Sequence, residues 1–146
     1  MTATAHALIA GAIASSVQNP AIGVPLAAIS HPICDLVPHW DFGNNWRQKR
    51  KITFFLEAVF DLSLGVGLTY LIFGQSMNFW YFAAAMFAAE FWDMLEVPYW
   101  FFKWQFFPIG LVYKIQSNMQ NKSPLPWGII YQVLAIFAVI AVLKII

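Results

Sequence analysis

Three long apolar runs, residues 52–73, 79–102 and 127–146, constrain this chain more than any motif does. At a helical rise of about 1.5 Å per residue, each reaches across the ~30 Å hydrocarbon core of a bilayer. Lipid gives backbone N–H and C=O groups no partner, so such runs must satisfy them internally, as helices. Charged residues make up only 10% of the chain, against about 25% in a soluble domain. We therefore expect an all-α integral membrane protein, a single transmembrane domain over residues 1–146.

The first forty residues form a different unit. The small, apolar stretch 6–17 covers about 18 Å at the helical rise, too short for a span. Gln18-Asn19-Pro20 is a turn signal, and residues 21–36 return over about 24 Å. The expected architecture is thus a short N-terminal helical hairpin, three longer transmembrane helices, and an amphipathic interfacial segment near 105–115.

Orientation follows from the cations. Arg47, Lys49, Arg50 and Lys51 sit in one loop, and Lys103, Lys114 and Lys122 in another. The excess of basic residues in cytoplasmic loops puts both on the inner side of a bacterial cytoplasmic membrane. Trp40, Trp46, Trp100, Trp104 and Trp127 would mark that boundary, and Trp80, Tyr81 and Tyr70 the other. A net charge of +1 offers no basic surface for nucleic acid. The expected partner is the bilayer, with a lipid as substrate; the oligomeric state stays open.

Against this apolar background the ionisable residues stand out. His31 and Asp35 are four apart, on one helix face, with Pro32 between them and Pro38 just beyond. The hairpin would bring His6 beside them. Asp61 lies roughly 15 Å in from the cytoplasmic end of its span and Asp93 roughly 14 Å in from the same end of the next. Glu57 and Glu96 match nearer the surface, and Glu90 is deepest. A carboxylate at mid-bilayer costs about 2.5–3.5 kcal/mol on insertion scales, and two spans here carry five. Like charges cannot stay ionised side by side without cations, and no Lys or Arg occupies the interior positions. A divalent metal is the natural counter-charge, with protonated carboxyls the alternative. Candidate metal ligands are His6, His31, Asp35, Asp61, His39 and Glu57; Asp93 and Glu90 would complete the shell or act as general base. Glu57, Glu96, His39 and Asp41 also lie near enough to the interface to be ordinary solvated groups.

An early His6 before a small-residue run, His31-x-x-x-Asp35, Pro38-His39-Trp40-Asp41 and the intramembrane acids together resemble small bacterial membrane-bound metal-dependent hydrolases. The His-x-x-x-Asp element is also similar to one in zinc-dependent phospholipase C. The resemblance spans about the first hundred residues. The chain departs from the pattern in having one His-x-x-x-Asp, no His-x-x-x-Glu, and Ala7 rather than Arg after His6. Three functions stay open. One is a membrane-embedded hydrolase acting on a lipid-like ester, phosphoester or amide at the cytoplasmic side. The second is a non-enzymatic ion, proton or metal pathway, and the third a helical scaffold locked by polar contacts. The imidazoles favour zinc; the carboxylate excess suits magnesium or manganese.

Overall fold

The computed structural model describes residues 1–145, which form six α-helices and no sheet. They are α1 (Ala3–Ser16), α2 (Pro20–Cys34), α3 (Lys51–Ile72), α4 (Phe79–Phe102), α5 (Ile109–Met119) and α6 (Trp127–Ile145). Short 3-10 turns at Trp46–Gln48 and Gly74–Ser76 precede and follow α3.

The helix starts are set by local chemistry. Thr2 Oγ1 accepts from the Ala5 N–H at 3.2 Å and starts α1. Asn19 caps α2 with Pro20 at its first turn, and Asn78 accepts from the N–H groups of Trp80 and Tyr81 to start α4. Helix α5 begins at Ile109, later than the sequence suggested, because the residue before a proline is pushed out of the α region and Pro108 becomes the cap.

The small-residue helix α1 is not a peripheral hairpin arm but the hub of the bundle. It packs against α2, α3, α4 and α6, while α5 lies on α4. Its Ala5, Ala7, Ala10, Ala12 and Ala14 are all buried. Side chains this small let four neighbours approach one short helix closely. The closest approach is to α3. A methyl group on Gly65 would sit 2.7 Å from Thr4 Cα, and one on Gly11 would sit 2.2 Å from Thr69 Cγ2. Asp61, Gly65 and Thr69 recur every four residues and make the buried face of α3.

Two helices, Lys51–Ile72 and Trp127–Lys144, are long and apolar enough to cross a membrane. Both expose most of their surface: Phe60 is 61% exposed, Leu71 63% and Phe137 65%. Helix α4 is as long, at 24 residues, but carries Glu90, Asp93 and Glu96.

These contacts predict that Gly65→Ala destabilises the protein by about 1–3 kcal/mol, because the added methyl meets backbone that cannot yield. Gly67→Ala, with nothing within 4 Å of the new Cβ, is the control and is expected to be neutral or slightly stabilising. Thermal melts of the two variants in detergent check this.

Candidate metal centre

All three histidines of the chain converge on one carboxylate, that of Asp35. Asp35 follows the last turn of α2 and is fully buried. His6 Nε2, from α1, lies 3.2 Å from Asp35 Oδ1. His31 Nε2, one turn back on α2, lies 3.6 Å from Oδ2, and His39 Nε2 lies 3.8 Å from Oδ1. The rings of His6 and His31 stack with centroids 3.6 Å apart and planes within 6°. Ligand atoms of His6, His31 and Asp35 all fall within 4.8 Å of one another, and all three residues are buried. The hairpin therefore does bring His6 beside the His31–Asp35 pair, as its length and turn suggest.

Two of the imidazoles are oriented by backbone carbonyls. His31 Nδ1 is tied to the Ala89 carbonyl and His39 Nδ1 to the Val37 carbonyl at 2.8 Å. A ring nitrogen facing a carbonyl carries the proton, so in the neutral ring the Nε2 lone pair is directed at a carboxylate. Acceptor then faces acceptor, and only a cation or a second proton relieves the repulsion. His6 Nδ1 and Nε2, Asp35 Oδ2 and His39 Nε2 are all buried without a hydrogen-bond partner. One positive group already reaches the carboxylate, the Met1 amino nitrogen against Asp35 Oδ1. This donor set fits a divalent metal with mixed nitrogen and oxygen ligands.

Two further acids border the group. Asp93 Oδ1 lies 3.5 Å from His31 Nε2, and Asp41 Oδ2 lies 3.3 Å from His39 Nε2. Lys122 Nζ lies 3.7 Å from Asp41 Oδ1 on the other side. Asp41 and Asp93 also line a cavity of about 620 Å³, so they connect the buried group to open space.

The remaining candidates lie elsewhere. Asp61 accepts from the Ala3 and Thr4 N–H groups at 2.7 and 3.1 Å and from Thr4 Oγ1 at 2.7 Å. Both its oxygens are thus engaged at the positive end of α1, an anchoring position. Glu57 pairs with Lys49 at 2.5 Å. Glu90 and Glu96 are buried on the cavity wall, each with Oε1 lacking a hydrogen-bond partner.

Sequence reasoning missed the supports that come from the last third of the chain. Asn121 N–H donates to Asp35 O at 3.0 Å, His39 N–H to Asn121 O at 2.8 Å, and Ser123 N–H to His39 O at 2.7 Å. This strap fixes the backbone on which Asp35 and His39 ride. Gln132, on the otherwise apolar α6, accepts from Thr2 N–H and Thr2 Oγ1 and donates to the Trp40 and Gly128 carbonyls. All four hydrogen-bonding positions of its amide are used, tying α6 to both the start of α1 and the His39–Asp41 loop. A glutamine inside an apolar run was the available signal. Gln116, on α5, donates to Asp93 Oδ1 at 2.6 Å. No family model, curated protein or solved structure matches the chain.

Asp61→Asn keeps the shape but turns one acceptor into a donor facing other donors. We expect it to cost about 1–3 kcal/mol of stability. Melting curves with and without chelator should move by the same amount; a loss that appears only without chelator would instead make Asp61 a metal ligand.

Proposed function

We propose that this protein is a membrane-embedded, metal-dependent hydrolase acting on a lipid-like ester, phosphoester or amide. The observation that carries the reading is the convergence of three imidazoles, two of them held by backbone carbonyls, on the single buried carboxylate of Asp35. His6, His31 and Asp35 would hold the ion, and Asp93 and His39 border these three residues. Zinc suits the imidazoles, and magnesium or manganese the carboxylates. When bound, such an ion acidifies a water toward neutrality and polarises a carbonyl or phosphoryl oxygen.

The chain's own residues do the rest. Asp93 reaches His31 on one side and the cavity on the other, where it receives a proton from the attacking water. Glu90, one turn away on the same wall, is the reserve acid. Ala58 and Leu62 of α3 and Met94 and Val97 of α4 give the cavity an apolar side between two lipid-facing helices. A lipid enters there without leaving the bilayer. In this reading α4 is the third span, with its acids on the cavity wall, and the basic loops face the cytoplasm of a bacterium. A second reading, a cation pathway, draws on the unpartnered Glu90 and Glu96 of the same wall.

Elemental analysis of purified protein tests the centre. Wild type should carry a stoichiometric divalent metal, and His31→Ala should lose at least about tenfold in affinity, the lower range seen even for outer-shell changes. Equal metal content in the two, or none in wild type, would end the metal reading. Metal without turnover of any ester, phosphoester or amide lipid in a screened panel would favour the pathway. Topology is checked by labelling Lys49→Cys and Ser76→Cys in vesicles; modification of both from one side would overturn the orientation.

A further inference from the structure

Gln116 is placed among the ligand atoms yet has no role in the assignment above. It is 2% exposed, and α5 carries it to the bundle interior. Its Nε2 lies 2.6 Å from Asp93 Oδ1 and 3.5 Å from His31 Nε2, so one amide group bridges two atoms that face the centre. With His31 Nδ1 tied to the Ala89 carbonyl, both of those atoms are acceptors, and the amide NH₂ sits where positive charge is wanted. The other end of the amide is the anomaly. Gln116 Oε1 is buried and has no hydrogen-bond partner. A buried carbonyl left unpaired is costly, and native structures rarely keep one without a reason.

The terminal amide torsion of glutamine is soft and roughly two-fold. A half-turn exchanges Oε1 and Nε2 with little movement of the rest of the side chain. Without a cation the exchange would press the amide oxygen against the Asp93 carboxylate, acceptor against acceptor. With a divalent cation held by His6, His31 and Asp35 and bordered by Asp93, the same oxygen becomes a neutral ligand atom pointing at positive charge. We propose that Gln116 is itself a ligand of the divalent cation, its side-chain oxygen turned to the centre in place of the NH₂ group that bridges Asp93 and His31. This rests on the metal reading and adds a ligand to it. A carbonyl oxygen adds coordination without adding negative charge to a site already rich in carboxylates. It also lets the shell exceed the three residues His6, His31 and Asp35, which favours ions that accept oxygen as readily as imidazole. Because the ligand comes from α5, loading would couple the last third of the chain to the hairpin.

Titration of the full-length protein in detergent with Co²⁺, read by its visible absorption and by competition with a chelator, tests this. Gln116→Leu should weaken cobalt binding at least about tenfold and change the intensity and position of the visible bands, because a ligand is lost. Gln116→Glu, which keeps an oxygen in the same place, should bind as tightly as wild type or more tightly, with bands close to those of wild type. Gln116→Met, unbranched and of similar length, replaces the leucine variant if that one fails to fold by far-UV circular dichroism. Bands unchanged in the apolar variant would overturn the proposal: with weaker affinity Gln116 only positions Asp93, and with equal affinity it has no part in the centre. A wild-type protein that takes up no cobalt would instead remove the metal reading itself, and this proposal with it.

Discussion

A carboxylate sealed inside a bundle with three imidazoles around it is a costly arrangement, and the rest of this structure is arranged to hold it. Taking an ionised group out of water costs several kcal/mol even after relaxation, and Asp35 is completely buried. The cost is met only if positive charge or hydrogen-bond donors reach it. The Met1 amino group reaches it directly, His6, His31 and His39 surround it from three different segments, and the backbone of Asn121 fixes the residue from a fourth. Helices α1 and α2 supply the side chains; the strap between α5 and α6 supplies the rigidity.

That requirement explains why the helix with the smallest side chains lies at the middle. His6 reaches Asp35 only if α1 runs directly alongside α2, and Asp61 and Gly65 of α3 grip its first turn from the other side. Larger side chains on α1 would separate these neighbours and pull the imidazole away. The alanines of α1 are therefore a condition for the site as well as for the packing. Asp61 illustrates how a buried acid can be spent on architecture: its oxygens take the free N–H groups of a helix start, and the helix dipole stabilises its charge. It sits close to the centre in the fold without sharing its atoms.

The cavity gives the centre a direction. Asp93 and Asp41 stand between the buried imidazoles and the open volume, so anything held in the cavity meets those carboxylates first. Its apolar side opens between α3 and α4, two helices with exposed hydrophobic faces, whereas its polar side carries Arg47 and Lys122 from the basic loops.

The sequence alone determined the elements and their grouping. Long apolar runs admit only helices, Gln18-Asn19-Pro20 forces a hairpin, and a spacing of four puts His31 and Asp35 on one face; each is a local rule that tertiary contacts had little room to override. The meeting of His6 with that pair was also legible, because a hairpin of two similar arms must bring its open ends together. Tertiary structure decided what position along a helix could not. Asp61 and Asp93 sit at similar distances from the ends of their helices, yet one turns to the start of α1 and the other to His31, because position along a helix does not fix the direction a side chain faces. Gln116, Gln132 and the Asn121 strap were silent for a related reason. Neutral amides and backbone groups carry no charge to mark them, and their importance comes only from the partners that folding places opposite them.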